Sequence, residues 1–122
     1  MAEPRPHPMS YPEQLAHIKR FMGKLAKGQP ATMQAFSALH GAAAGDGALD
    51  SKTKELIALA IGVAARCDGC VAYHTFDALE AGATEAEIMD ALGVAVLMGG
   101  GPAVMYATHV VEAMEQVKAT RQ

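Results

Sequence analysis

Residues 50–66, DSKTKELIALAIGVAAR, decide the fold class. Asp50 is suited to cap a helix, because its carboxylate can accept one of the first backbone N–H groups that have no partner inside the helix. Behind it Leu56, Leu59, Ala60 and Val63 recur at steps of three and four residues, the period of a helix with one buried face. The spacing predicts a helix from the Asp50 cap through Glu55 to about Arg66.

The same signals extend in both directions. Ser10 can cap a first helix that carries Pro12 and Glu13 in its opening turn and runs to about Lys27. Gly28 and Pro30 end it, and Pro30 opens a second helix that finishes near Gly41 to Gly47, a stretch that reads as a loop or frayed end. A fourth helix opens around Cys67 to Cys70 and closes at Gly82. Thr84, with Glu87 three residues later, forms a capping box for a fifth that carries Ile88, Leu92 and Ala95 on one stripe. Gly99-Gly100-Gly101 stops it, and Pro102 starts a sixth with Val104, Ala107, Val111 and Met114 expected on its inner face. The chain therefore reads as all-α, a single-domain bundle of about six helices over residues 11–120, preceded by a Pro-rich N-terminal arm over residues 1–10.

Composition agrees. Of 122 residues 51% are hydrophobic but only 5% aromatic, with no Trp, so the apolar mass lies in helix-forming Ala, Leu and Met more than in strand formers. The net charge is −3 and no basic run occurs, which removes the electrostatic footprint of nucleic-acid binding. Ala91 to Ala107 carries no charge, but the glycine run and Pro102 interrupt it, and it falls short of the ~20 apolar residues that a bilayer needs. With no apolar signal-peptide core among the first residues, the expectation is a soluble, cytoplasmic protein that uses neither membrane nor nucleic acid. Two cysteines three residues apart do not make a secreted disulfide scaffold; in a reducing compartment such a pair is a redox couple or part of a metal site.

The chemistry gathers in Cys67-Asp68-Gly69-Cys70 and His74. A cysteine pair at a helix start is placed where free N–H groups and the positive end of the helix dipole favour thiolate over thiol. Cys70 and His74, four apart, share one helix face, so the imidazole can take the thiol proton or stabilise the thiolate. Glu55 is the third candidate, a carboxylate able to accept or supply a proton. If the third and fourth helices run antiparallel, Glu55 falls about a turn or more beyond His74, so a water or a tilted crossing is expected between them. A metal-binding or redox-sensing module is a competing reading, with Zn²⁺ held by Cys67, Cys70, His74 and a fourth ligand from Glu55 or His109. Tyr73 receives no role, and His7, His17, His40 and His109 fall in no recognisable constellation.

Lys54 to Ile61 followed by Cys67 to His74 resembles the carboxymuconolactone decarboxylase-like superfamily, and within it the alkylhydroperoxidase D branch. The shared pattern is Glu, then CxxC twelve residues on, then His four after the second Cys; Ala78 to Thr84 and Gly99 to Ala103 also resemble the family. The similarity covers roughly Gln34 to Met114, with one copy of a motif that full alkylhydroperoxidase D proteins carry in two related halves. The resemblance implies a thiol-dependent peroxidase of an antioxidant kind, without metal or organic cofactor. In it Cys70 would attack a hydroperoxide, Cys67 would resolve the sulfenic acid as a disulfide, and His74 and Glu55 would relay protons. Electrons would come from a dithiol protein, lipoyl-carrying or thioredoxin-like, and the subunit would form a homo-oligomer, a trimer or hexamer. The helix-dipole argument alone favours Cys67 as the more acidic thiol, whereas the resemblance gives the attack to Cys70. Lactone-processing decarboxylase chemistry is a further alternative, although the branch that carries it does not depend on a CxxC pair.

Overall fold

The computed structural model describes residues 9–121 and is built from six helices among them, with no strand. They are α1 (Tyr11–Gly28), α2 (Pro30–Ala44), α3 (Ser51–Ala64), α4 (Asp68–Glu80), α5 (Glu85–Gly99) and α6 (Gly101–Thr120). Most of the expected arm, residues 1–8 with His7, lies outside the described residues. The caps are those that the sequence indicates. Ser10 accepts from the Glu13 N–H, Asp50 from the Thr53 N–H, and Thr84 and Glu87 complete a reciprocal capping box.

The core forms where four helices meet. α3 packs on α4 and α5, while α6 packs on α4 and α5 from the other side. Leu59 and Val63 of α3, Val71 and Ala78 of α4, Ile88 of α5, and Val110 and Ala113 of α6 are fully buried. α1 lies across α4 and α6 and contributes Tyr11 and Leu15. The inner face of α6 differs in part from its expected stripe. Met114 is buried and Ala107 and Val111 pack against the core, but Val104 is exposed, and Ala103, Val110, Ala113 and Val117 occupy the buried positions. Pro102 sits at the second helical position of α6, so the stripe is rotated about one residue from a count begun at Val104.

α2 is the exception to core packing. It continues through Gly41 and ends at Ala44, inside the stretch expected to close it, yet none of its residues is buried. It touches chiefly α1 and leaves Phe36 and Leu39 exposed. Among the described residues, no helix is long and apolar enough to cross a membrane.

α3 and α4 end on the same C-terminal hydrogen-bond pattern. After α4, the Ala83 N–H donates to the Ala78 carbonyl and the Gly82 N–H to Leu79, with Gly82 at φ 93°. After α3, the Cys67 N–H donates to the Gly62 carbonyl and the Arg66 N–H to Val63, with Arg66 at φ 58° in the position that glycine fills in α4. An L-residue with a Cβ is disfavoured in this left-handed region. Arg66→Gly is therefore expected to raise the unfolding free energy by about 0.5–1 kcal/mol, the strain relief exceeding the added unfolded-state entropy. Urea denaturation monitored by circular dichroism measures it; a destabilised variant would contradict a strained Arg66.

Candidate functional site

The turn at Arg66 delivers Cys67 to the N-cap of α4, where its sulfur accepts the Cys70 N–H at 3.1 Å. Cys67 and Cys70 are joined as a disulfide, with their Cα atoms 5.2 Å apart. α3 approaches this turn closely because Gly62 has no side chain: a Cβ there would stand 2.8 Å from the Cys70 Cβ. At that level the two helices meet almost backbone to side chain.

This approach corrects the expected separation of Glu55 from His74. The Glu55 Oε2 lies 2.8 Å from the His74 Nδ1, a direct hydrogen bond with no intervening water or gap of a turn. The missing Cβ at Gly62 draws the helices together, and the two methylenes of the glutamate span the remaining offset. Glu55 is buried, its side chain 10% exposed, and His74 is 23% exposed. With Nδ1 engaged by the carboxylate, Nε2 is the nitrogen left to exchange a proton with the cleft.

The disulfide borders a cleft of about 440 Å³ between α1, α2 and the first turns of α4. Ile18 and Met22 of α1 and Met33 and Phe36 of α2 give it an apolar wall, and Tyr73 closes another side. Cys67, Cys70 and His74 all line it, as does His40. Tyr73 is thus a wall of the site, and the Lys19 ammonium lies 5.6 Å from its ring centroid.

Sequence reasoning passed over Asp77, three residues beyond His74 on α4. Asp77, Glu55 and His74 each bring a donor atom within 4.8 Å of the others, and their i, i+3 spacing on α4 was the available signal. Burial first and the Glu55 charge second hold the Asp77 carboxyl above the usual carboxylate range, while His74, Lys19 and His40 oppose them. These three groups could share a cation only in competition with the Glu55–His74 bond. The zinc centre considered for Cys67, Cys70 and His74 has no thiolates to offer in the disulfide state, and His109, its possible fourth ligand, is bonded elsewhere. Its Nδ1 lies 2.7 Å from Asp68 Oδ1, so the expectation that His109 belongs to no constellation is also corrected. The His17 and Phe21 rings lie with centroids 4.7 Å apart, tilted by 47°.

Because the Asp77 carboxyl is raised on folding, its charged form opposes the fold at neutral pH, and that penalty vanishes as the pH falls through its folded value. Asp77→Asn is accordingly expected to melt higher than wild type at pH 7, with the difference shrinking toward pH 4. A difference that grows on acidification would contradict a carboxyl raised by burial.

The carboxymuconolactone decarboxylase family model matches residues 30–113, a span holding Glu55, both cysteines and His74. An uncharacterised protein of Cupriavidus necator is 41% identical over 105 residues, 86% of this chain and 93% of that one. Uncharacterised protein 4 of the cox locus of Paracoccus denitrificans is 33% identical, over 79% of this chain and 86% of its own length. The crystal structure of a carboxymuconolactone decarboxylase family protein from Legionella pneumophila superposes with a TM-score of 0.84 at 44% identity, covering 87% of this chain and 95% of that one. A family protein from Thermotoga maritima, for which involvement in an antioxidative response has been suggested, gives 0.69 at 32% identity over 74% of this chain and 93% of its own. On the span of the family match and these likenesses, the chain belongs to the carboxymuconolactone decarboxylase family.

Proposed function

We propose that this protein is a thiol-dependent peroxidase of the alkylhydroperoxidase D kind, which reduces organic hydroperoxides at the Cys67–Cys70 pair. The observation that carries the reading is the placement of a disulfide-forming pair on an apolar cleft beside a hydrogen-bonded Glu55–His74 couple. The apolar wall suits a hydroperoxide with a hydrocarbon substituent better than hydrogen peroxide. In the reduced protein His74 takes the Cys70 proton, and the thiolate attacks the terminal peroxide oxygen. The O–O bond breaks, Cys70 becomes a sulfenic acid, and the departing alkoxide takes a proton from the imidazolium to leave as an alcohol. Cys67 then attacks the Cys70 sulfur, water leaves with the Cys67 proton, and the disulfide forms. A dithiol protein, lipoyl-carrying or thioredoxin-like, returns two electrons and two protons by exchange. Glu55 holds the tautomer of His74 and stabilises its charged form. The reaction draws on no metal or organic cofactor, and its dithiol donor places it in a reducing compartment, the cytoplasm.

The sequence-based preference for Cys67 as the more acidic thiol has a structural counterpart, since Cys67 occupies the N-cap and accepts an N–H. This supports Cys67 as the thiol readily ionised for resolution and exchange, with Cys70 activated by His74 when peroxide is bound. A Cys67→Ser protein should accumulate one sulfenic acid on Cys70, trapped by dimedone and located by mass spectrometry, whereas Cys70→Ser should be inert toward the peroxide. Glu55→Gln, which keeps the hydrogen bond but loses the charge, should slow the peroxide step by about 10–100-fold. Full activity in Cys70→Ser would refute the assignment.

Assembly as a homo-oligomer, a trimer or hexamer, belongs to the same proposal. Leu97 and Met98 are more than three-quarters exposed, and Ile61 and Met105 more than half. Gly99 abuts Ala64, which places this apolar corner of α5 beside the end of α3. Monomers rarely leave such surface open. Light scattering coupled to size exclusion should give a mass of three or six subunits, and Leu97→Glu with Met98→Glu should lower it; a monomeric wild type would refute assembly.

A further inference from the structure

Asp68, the residue after Cys67, is the N-terminal residue of α4, and its side chain does not line the cleft that Cys67, Gly69 and Cys70 border. Its Oδ1 instead accepts two hydrogen bonds behind the pair. The Nδ1 of His109, on α6, lies 2.7 Å away, and the hydroxyl of Tyr11, on α1, lies 3.3 Å away. Tyr11 is buried, and its backbone N–H donates to the Gln116 Oε1 at 2.6 Å, which pins the start of α1 to α6. The Tyr106 ring packs on His109 with centroids 4.9 Å apart. Burial, followed by the Asp68 charge, holds the Tyr11 hydroxyl well above its ordinary value, so it remains a donor across the working pH range.

We propose that Tyr11, Asp68 and His109 form a second network, behind the cysteine pair, that sets how readily Cys67 ionises. The inference rests on the peroxidase reading for its biological use, but its physical content concerns Cys67 alone. A thiolate at the N-cap and a carboxylate one residue later are two anions drawing on the same helix N-terminus. Left unshared, the Asp68 charge works against the Cys67 thiolate; shared with the His109 and Tyr11 donors and held on the far side of the turn, it works against it less. Each cysteine then has its own histidine–carboxylate couple: His74 with Glu55 for Cys70, and His109 with Asp68 for Cys67. Both couples join through Nδ1. The charged and titratable groups facing this second network are Cys67 and Asp68 from α4 and its N-cap, Tyr11 from α1, and Tyr106, His109 and Glu112 from α6. Tyr11, Asp68 and His109 are positioning residues, since they act through Cys67.

The test is the pH dependence of iodoacetamide alkylation of the fully reduced full-length protein, read separately at Cys67 and Cys70 by mass spectrometry. His109→Ala, which strips Asp68 of its closest donor, should slow Cys67 alkylation at pH 7 by roughly three- to ten-fold. Asp68→Asn should speed it by a similar factor, and Cys70 should change little in either. Opposite signs at two residues of one hydrogen bond are the decisive readout, because simple loss of packing would move both variants the same way. Tyr11→Phe, which keeps the buried ring, should shift Cys67 in the direction of His109→Ala and by less. Circular dichroism confirms which variants are folded, and Tyr11→Phe with Asp68→Asn still gives opposite signs if His109→Ala is not. Unchanged Cys67 rates, or shifts of one sign throughout, would overturn the network. Failure of the wild-type pair to react with peroxide would instead overturn the peroxidase reading and leave these rates to stand or fall alone.

Discussion

The site depends on the contact of Gly62 with Cys70. At this point α3 and α4 approach so closely that a methyl group on residue 62 would overlap the cysteine side chain. The contact lies beside the turn that ends α3, where the Cys67 N–H donates to the Gly62 carbonyl and Cys67 reaches the cap of the next helix. Two consequences follow from that one approach. Cys70 is pressed toward the cleft that α1 and α2 enclose. Farther along the helix pair, Glu55 comes within direct hydrogen-bond distance of His74. A glycine at the crossing thus lets the two helices that pair Glu55 with His74 come close, and a strained arginine follows it where a second glycine would relax the chain.

Electrostatics then divides the labour around a nearly apolar cavity. In a site with few polar groups, an ionised carboxylate on one imidazole nitrogen is what lets the other nitrogen carry a proton to and from a thiol. In the proposed reaction Glu55, buried and 2.8 Å from the His74 Nδ1, takes this part. Asp77 adds a second carboxyl beside the couple, held above the usual range by burial first and by the Glu55 charge second. The cleft wall from α1 and α2 carries no such groups beyond His40 and Ser37, and a hydrocarbon chain could lie against Ile18, Met22 and Phe36. α2 buries none of its own residues, so its position over the cleft rests chiefly on α1, with a smaller contact to α3.

Much of this was legible in the sequence because it is written in local signals. Capping side chains, Pro30 and the glycine run place the helix boundaries, and Ile88, Leu92 and Ala95 are buried as their periodicity indicates. The cysteine pair and His74 are read from spacing along one helix. What was not legible depends on separations that no local pattern encodes. The Glu55–His74 bond needs the Gly62 approach, and a count along ideal helices leaves the two a turn apart. The Asp68–His109 bond joins residues 41 apart, and Asp68 reads in sequence as a mere spacer inside CxxC. Val104, Ala107, Val111 and Met114 read as one inner stripe of α6, but the neighbouring helices select the buried face and leave Val104 exposed.

The most direct measurement of the central claim is the product stoichiometry of a single turnover. Fully reduced protein mixed with limiting cumene hydroperoxide, without any electron donor, should yield one molecule of cumyl alcohol for each Cys67–Cys70 disulfide formed, with two thiols lost per peroxide. Alcohol formed without thiol loss, or thiols that remain free while the peroxide persists, would contradict a peroxidase acting through this pair.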